Sequence, residues 1–242
     1  MDKLVVHPAP GVAPGEAAPG VLLLQGGGYQ RCAPTEGQPV ADWLTGLGIH
    51  VFQLAYPTTG EVEPPEGLHP APLEAAVEAL THIRAGEHGL ALGRIGVLGF
   101  SAGGHLAASL CHASQVLGEP VSVRPDFAVL GYPVLSMTHL AHGGSARRLL
   151  GLTPTPEELA RHTIVNHVDA QTPPTFLWHT AADTGVSATH SLDYARALQT
   201  AGVPYELHVF SSGRHGLGVS DEVPATAVWT ELCATWLRAI VA

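Results

Sequence analysis

Short runs of apolar residues alternate along this chain with longer segments in which apolar residues recur at helical spacing. Each short run has the length of a strand, and several are apolar on both faces, which is typical of a parallel sheet covered on both sides. The predicted strands are residues 21–25, 49–56, 94–100, 126–132, 175–180 and 205–210.

Helices are predicted between these strands. In "PLEAAVEALTHIRA", for example, apolar residues return every three or four positions and would line one face of a helix. Because strands and helices alternate, the pattern predicts an α/β fold with a doubly wound, mostly parallel sheet flanked by helices. The predicted helices are residues 37–47, 71–86, 101–117, 155–162, 188–201 and 222–241.

One serine lies where the third predicted strand meets the following helix. The segment Gly99-Phe100-Ser101-Ala102-Gly103 matches G-x-S-x-G, in which a serine on a tight turn projects its hydroxyl away from the backbone. The amides at the start of the helix would face a negative charge that develops beside this hydroxyl. The motif alone also fits a serine that caps a strand–helix turn, but its position between a predicted strand and a predicted helix favours a nucleophile.

A serine nucleophile needs a general base, and the chain offers 15 histidines. Where a G-x-S-x-G serine acts with an acid and a histidine, the chain order is serine, acid, histidine. His215 lies in "SSGRHGLG", a glycine-rich loop just after the last predicted strand, whereas His208 lies inside that strand and His190 begins a helix. We therefore predict that His215 is the base.

The acid is expected on a loop that follows a strand and precedes the base. Asp183 directly follows the predicted strand 175–180 and can orient the imidazole of the base. Asp126 begins a predicted strand and so lies at the wrong end of it, Asp169 precedes a strand, and Asp193 lies within a helix. Position along the chain therefore favours Asp183.

Acyl transfer also needs hydrogen-bond donors for the oxyanion, and "QGGGYQ" at residues 25–30 ends an early strand. Consecutive glycines let backbone amides approach a substrate closely, and the run matches the HGGG-type oxyanion loop with Gln25 in place of histidine. The amides of Gly27, Gly28 and Ala102 are the predicted donors. A plain flexible turn is the alternative for such a run, but the position after a strand favours the oxyanion loop.

Charge and composition restrict the function classes further. The net charge is −10 and no basic run exists, so we expect no binding to nucleic acid or to an anionic membrane. The three cysteines are far apart and fit neither a disulfide framework nor a zinc site, and no segment has the character of a signal peptide or a membrane span. We expect a cytoplasmic protein of one domain, residues 1–242, with the irregular stretch 133–174 as a candidate small lid.

With these residues in place, the chain resembles an α/β-hydrolase of the esterase/lipase branch, and more narrowly the bacterial acetyl-xylan-esterase-like enzymes. The resemblance runs from Gly20 onward and rests on "GGGY", "EGQPVADWL", "GFSAGGHLA", "TPPTFLWHTA" and "GVPYELHVF" followed by "GRHGLG". It implies that Ser101, Asp183 and His215 form a catalytic triad that uses no metal or cofactor. It also implies hydrolysis of short acyl esters, above all acetyl groups on sugars.

The chain departs from this family at several points. Gln25 replaces a histidine of the wider motif, and Ser187 stands where such proteins often have proline after the acid. Few residues precede Gly20, so we expect no N-terminal cap, and the first strands of the full fold are expected to be absent or reduced to residues 3–7.

The sequence therefore predicts a serine esterase for short-chain acyl esters of small molecules or oligosaccharides. Tyr29 and Phe100 flank the predicted catalytic groups and are expected to shape the acyl or sugar pocket. His105, one helical turn after Ser101, is expected to be a buried, hydrogen-bonded histidine. Two alternatives stay open at this point: an arylformamidase or peptidase, because the triad alone does not distinguish an ester from an amide, and a non-catalytic binding protein of the same fold.

Overall fold

A computed structural model describes residues 3–242 of the chain. Its strands are β1 (Leu4–His7), β2 (Ala18–Leu24), β3 (His50–Leu54), β4 (Leu92–Phe100), β5 (Ala128–Gly131), β6 (Thr175–Thr180) and β7 (Tyr205–Phe210). Within the described residues they form one seven-stranded sheet in the order β1-β3-β2-β4-β5-β6-β7. Every neighbouring pair is parallel except β1 and β3, which pair antiparallel.

The helices that connect these strands are α1 (Gln38–Gly46), α2 (Ala71–Ala85), α3 (Ser101–Cys111), α4 (Ala113–Leu117), α5 (Gly143–Leu150), α6 (Pro156–Arg161), α7 (Thr189–Ala201), α8 (Pro224–Ala227) and α9 (Trp229–Val241). Short 3-10 helices span Pro34–Glu36 and Ile164–His167. Among the helices of residues 3–242, none combines the length and the apolar character that crossing a membrane requires.

Each central strand is apolar on both faces because helices cover both sides of the sheet. In β2, Leu22 and Leu24 belong to a core shared with α2, α3 and α7, whereas Val21 and Leu23 belong to a second core shared with α1 and α9. This alternation follows from the period of two along a strand. It also places the carboxyl ends of the parallel strands at one edge of the sheet, where ligands bind in such folds.

The elements differ from the sequence predictions at three places. The predicted helix 101–117 is interrupted at His112, where the backbone leaves the helical region, and the predicted helix 222–241 is divided into α8 and α9 at Val228. Helix α5 was not predicted, because its sequence "GGSARRLL" begins with two poor helix formers. It lies in the stretch 133–174, which otherwise holds α6 and the second 3-10 helix.

Buried histidines make the stability of this fold sensitive to acid. Burial lowers the pKa of His105 and of His112 to about 4 in each case. In the unfolded chain an imidazole takes up a proton near pH 6.5, so between that pH and about 4 the unfolded state binds more protons than the folded state. Relative to its value above pH 6.5, the free energy of unfolding is therefore expected to fall by up to about 3 kcal/mol for each of these histidines as the pH falls toward 4.

We therefore expect the urea midpoint of unfolding to fall clearly between pH 7 and pH 5. Replacing His105 by Gln should flatten this dependence, whereas replacing the partly exposed His82 by Gln should leave its slope unchanged. An identical midpoint at pH 7 and pH 5 in the unmodified chain would contradict the expectation.

Candidate active site

Ser101 lies at the sharp turn between β4 and α3. Its φ of 52° is in the left-handed region, which a residue with a side chain rarely adopts, and the serine is 4% exposed. A Cβ atom on Gly99 would lie 2.2 Å from the carbonyl oxygen of Gly103, and one on Gly103 would lie 2.2 Å from that of Leu24. The turn that presents the serine hydroxyl therefore requires glycine at both motif positions.

Three loops bring Ser101, His215 and Asp183 into one line of hydrogen bonds. The Nε2 atom of His215 lies 2.8 Å from the Oγ atom of Ser101, and its Nδ1 atom lies 2.6 Å from the Oδ2 atom of Asp183. Because a carboxylate only accepts, Nδ1 donates to Asp183 and Nε2 is left to accept from the serine hydroxyl. The arrangement has the geometry of a nucleophile, a general base and a residue that orients the base.

Asp183 is held in its ionised form by its surroundings. The backbone N–H groups of Gly185 and Val186 donate to its Oδ1 atom at 2.8 and 2.9 Å, and His179 Nε2 lies 3.4 Å from its Oδ2 atom. Burial alone would raise the pKa of this carboxyl, but the hydrogen bonds from His179, His215 and Val186 outweigh burial and hold the pKa well below its usual range. These hydrogen bonds therefore favour the ionised form of Asp183 beside His215.

The glycine run after β2 lies beside Ser101. Gly27 has a φ of 119°, and a Cβ atom there would lie 2.2 Å from the carbonyl oxygen of Arg31, so only glycine fits. Among the described residues, the N–H groups of Gly27 and Gly28 have no protein acceptor, and the N–H of Ala102 is in the first turn of α3, where amides lack partners within the helix. The three predicted donors are thus free to bind an oxyanion.

A buried glutamate that the sequence did not single out joins the glycine run to the base. Glu36 is 2% exposed; its Oε2 atom accepts from the N–H of Gly26, and its Oε1 atom accepts from the hydroxyl of Tyr132, both at 2.6 Å. Burial raises the pKa of Glu36, although these two hydrogen bonds oppose the rise. The ring of Tyr132 packs edge-on against the ring of His215, with centroids 5.0 Å apart. Glu36 therefore fixes both the oxyanion loop and the support of the imidazole.

Tyr29 lies in the core and does not line the pocket, in contrast to the sequence expectation. Its side chain is 1% exposed, and its hydroxyl lies 2.7 Å from the Nδ1 atom of His105. Because Nε2 of His105 donates to the carbonyl oxygen of His162 at 2.9 Å, Nδ1 accepts from the tyrosine. His105 is thus the buried, hydrogen-bonded histidine that the sequence suggested, and it ties the residue after the oxyanion glycines to α3.

Phe100 also lies away from the pocket, in contrast to the sequence expectation. It is the last residue of β4, points to the face opposite Ser101 and is fully buried. Its ring packs against Tyr132 and Trp229, with centroid distances of 5.5 and 6.1 Å. Neither Phe100 nor Tyr29 touches the space in front of Ser101, because the backbone at each position turns the side chain into the core.

The pocket in front of Ser101 has a volume of about 420 Å³, within the range of small-molecule sites. It is lined by Gly27, Gly28, Gln30, Arg31, Ala33, Thr35, Glu36, Ser101, His142, Arg148, Arg214, His215 and Gly216. Among these described residues, Ala33 supplies the one apolar side chain. A second cavity of about 470 Å³ lies beside α7, but Ser101 is not part of its lining.

His142 lines this pocket and is held in one tautomer by a hydrogen bond. Its Nδ1 atom accepts from the N–H of Ser145 and thereby caps helix α5, which requires the neutral tautomer with the proton on Nε2. Burial, followed by the charges of His215 and Arg148, lowers the pKa of His142 and favours the neutral form. His142 comes from the stretch 133–174, so this stretch forms one wall of the pocket.

Comparison with known proteins agrees with this geometry. A model of the alpha/beta hydrolase fold family matches residues 21–218, so the chain belongs to the α/β-hydrolase family. This confirms the fold class and the family resemblance predicted from the sequence, a mostly parallel sheet flanked by helices with G-x-S-x-G at the end of a central strand.

Three proteins are similar to this chain over most of its length. Endo-1,4-beta-xylanase B of Butyrivibrio fibrisolvens is 35% identical over 210 residues, a match that covers 84% of this chain and 33% of that protein. Acetylxylan esterase of Xylanibacter ruminicola is 30% identical over 230 residues, covering 92% of this chain and 46% of that protein. The crystal structure of an acetyl ester-xyloside bifunctional hydrolase from Caldicellulosiruptor lactoaceticus is 40% identical with a TM-score of 0.87, covering 98% of this chain and 87% of that one.

The chain spans 33% of the first and 46% of the second of these relatives, and thus less than half the length of either. The names of the second and third relatives, an acetylxylan esterase and an acetyl ester-xyloside bifunctional hydrolase, support the predicted class of carboxylic ester hydrolase.

Proposed function

We propose that this protein is a serine carboxylic ester hydrolase that removes short acyl groups, above all acetyl groups, from carbohydrates. The observation that carries the proposal is the continuous line of hydrogen bonds from Ser101 through His215 to Asp183, beside three unpartnered backbone N–H groups. Nucleophile, base, orienting carboxylate and oxyanion donors are the parts that acyl transfer from an ester needs.

The first half of the reaction forms an acyl-enzyme. His215 Nε2 accepts the hydroxyl proton of Ser101 while Oγ attacks the ester carbonyl carbon, and the amides of Gly27, Gly28 and Ala102 bind the negative oxygen of the tetrahedral intermediate. The intermediate collapses when the carbon–oxygen bond to the alcohol breaks and the imidazolium gives its proton to the leaving oxygen. The alcohol departs, and the acyl group stays on Ser101.

The second half repeats the same chemistry with water. His215 Nε2 takes a proton from a water molecule, whose oxygen attacks the acyl carbon, and the proton then passes to Ser101 Oγ as the carboxylic acid leaves. Throughout, ionised Asp183 holds the Nδ1–H of His215 and stabilises the imidazolium that forms twice in each cycle.

The polar lining of the pocket supports a carbohydrate as the alcohol part of the ester. Gln30, Thr35 and His142 offer donors and acceptors to sugar hydroxyl groups. Phenylalanine, tyrosine and tryptophan are absent from the described lining, so an aromatic formamide would find no ring to pack against, which disfavours the arylformamidase alternative. The names of the relatives, an acetylxylan esterase and an acetyl ester-xyloside hydrolase, point in the same direction.

A short acyl group is favoured because the pocket has almost no apolar wall. Each CH₂ buried against apolar atoms contributes about 0.8 kcal/mol, and a lining whose one apolar side chain is Ala33 cannot bury a long chain. Among p-nitrophenyl acetate, butyrate, octanoate and palmitate, we expect kcat/KM to be highest for the acetate and very low from octanoate onward. A maximum at octanoate would contradict the short-acyl preference and leave the roles of Ser101 and His215 untouched.

We also propose that the protein works in the cytoplasm. Cys32, Cys111 and Cys233 are all free thiols, which suits a reducing compartment. Fractionation of the source cells with an antibody against this chain tests the location: the proposal requires the protein in the cytosolic fraction, and its recovery from the medium would refute it.

A further inference from the structure

The pocket in front of Ser101 has a cationic lining in a strongly acidic protein. The chain has a net charge of −10 and only 11 lysines and arginines, yet three of these, Arg31, Arg148 and Arg214, line this one pocket. Such a concentration of positive charge against the overall balance indicates a ligand with negative charge.

The carboxylates that pair with these arginines cancel only part of their charge. Glu222 pairs with Arg214 through two contacts, of 3.1 and 2.8 Å, so that pair is neutral overall. Glu63 contacts both Arg147 and Arg148, at 2.7 and 2.8 Å, and therefore leaves one positive charge in excess.

Arg31 adds a second positive charge at the pocket. Its side chain is exposed and makes no hydrogen bond or ion pair with any residue that the structure describes. Glu36 is the one carboxylate in the described lining, and both of its oxygens are already engaged, by Gly26 and Tyr132, within the protein. A ligand in the pocket therefore meets guanidinium groups and not free carboxylate oxygens.

Arg148 and Arg31 are both attached to the oxyanion loop. The Nη1 atom of Arg148 lies 3.3 Å from the carbonyl oxygen of Gly28, and the ion pair with Glu63 anchors its Nε side. The side chain of Arg148 is only 16% exposed, so its remaining N–H groups are held in place at the wall of the pocket. Arg31 is four residues after Gly27, and its side chain lies next to that glycine. Both arginines thus line the pocket beside the oxyanion loop.

We propose that the ester substrate of this site carries a carboxylate, which Arg31 and Arg148 bind while the ester carbonyl lies at Ser101. The inference rests on the proposed ester hydrolysis and specifies its substrate class. Guanidinium groups bind carboxylates through two parallel N–H donors, and such charge-assisted hydrogen bonds are stronger than neutral ones. A uronic acid in the alcohol part and a dicarboxylic acid in the acyl part are the two places from which this carboxylate can come.

Matched substrate pairs test the proposal and distinguish these two sources. For the alcohol part, acetate release from an O-acetylated methyl glucuronoside is compared with release from the corresponding glucuronamide, which is neutral and of the same size. For the acyl part, p-nitrophenyl hemisuccinate is compared with p-nitrophenyl butyrate. We expect kcat/KM to favour the carboxylate by about tenfold in one of the pairs, the effect of roughly one charge-assisted contact.

Variants show whether the arginines cause this preference. Arg31→Gln should reduce the carboxylate-to-neutral ratio of kcat/KM several-fold, and added salt should reduce it further, because the exposed charge is screened. Arg238→Gln removes an equally exposed arginine from α9, outside the lining of the pocket, and should leave the ratio unchanged.

The outcomes separate this inference from the proposed function. Hydrolysis that depends on Ser101 but prefers the neutral member of both pairs would overturn the carboxylate site and leave the esterase intact. An unchanged ratio in Arg31→Gln would also overturn it. Absence of Ser101-dependent hydrolysis of every substrate would instead overturn the proposed function itself.

Discussion

Replacing Ser101 by alanine is expected to lower kcat for ester hydrolysis by about 10⁶-fold, the loss measured when the nucleophile of such a triad is removed. The hydroxyl that is lost is the one atom positioned 2.8 Å from the base, and no other serine hydroxyl lies within hydrogen-bond distance of His215 among the described residues. The fold should survive, because alanine keeps the Cβ atom and the turn depends on the two flanking glycines. Steady-state kinetics with p-nitrophenyl acetate and a thermal melt of the same sample test both halves of this expectation.

Ser122→Ala is the matched control for this variant. Ser122 is exposed and lies outside the pocket of Ser101, so its hydroxyl should be dispensable for turnover. A Ser101→Ala protein that is folded and retains activity within tenfold of the unmodified enzyme would show that Ser101 is not the nucleophile.

The second large effect is expected from Asp183→Asn, with kcat lowered by about 10⁴-fold. The Oδ1 atom of Asp183 accepts two backbone N–H groups, so in the variant the amide oxygen takes that place and the NH₂ group faces Nδ1 of His215. Nδ1 would then accept instead of donate, and the imidazole proton would move to Nε2. In that tautomer His215 cannot accept the proton of Ser101.

Asp169→Asn provides the comparison for this prediction. Asp169 accepts a hydrogen bond from the N–H of Gln171 in a loop that lines the cavity beside α7, away from Ser101. Its substitution should change kcat by less than about twofold. If Asp169→Asn were the inactive variant and Asp183→Asn the active one, the assignment of the acid would be wrong.

The strands of the sheet were predictable because the apolar pattern that identifies each strand lies within that strand. Runs such as "VLLL" in β2 and "FLW" in β6 are apolar on both faces, which is the pattern expected for a strand covered by helices on both sides. Helix α5 was missed because its stability comes from outside its own sequence. Its two leading glycines disfavour a helix, whereas the cap from His142 and the burial of Leu149 and Leu150 against the core stabilise it.

Around Ser101, a residue's position was predictable where a sequence motif specifies the turn in which the residue lies. Gly99 and Gly103 identify the turn that carries the serine. The order serine, acid, histidine along the chain then restricts which residues can be the acid and the base. Tyr29 and Phe100 were placed wrongly, because being next to a pocket residue in sequence does not determine where a side chain points. Tyr29, with its φ of 63°, turns toward His105, and Phe100 follows the alternation of β4 into the opposite core.

Other pocket residues carry no sequence signal that identifies them. His142 and Arg148 come from segments without a motif, and Glu36 begins the segment "EGQPVADWL", which does not mark it as a pocket residue. Glu36 and Arg148 reach the site through contacts with residues distant in the sequence. The hydrogen bond between Glu36 and Tyr132, for example, joins residues 96 positions apart. Only the folded chain shows that a buried glutamate supports the oxyanion loop and that arginines line the pocket.

The central claim, that Ser101 is a nucleophile activated by His215, is tested most directly by covalent labelling. A fluorophosphonate reacts with an activated serine and leaves a phosphonyl group on its oxygen, which mass spectrometry of proteolytic peptides can locate. The account predicts a single adduct on the peptide that contains Ser101, formed fast in the unmodified protein, slowly in Asp183→Asn and not at all in Ser101→Ala. An adduct on another residue, or no adduct on the folded protein, would contradict it.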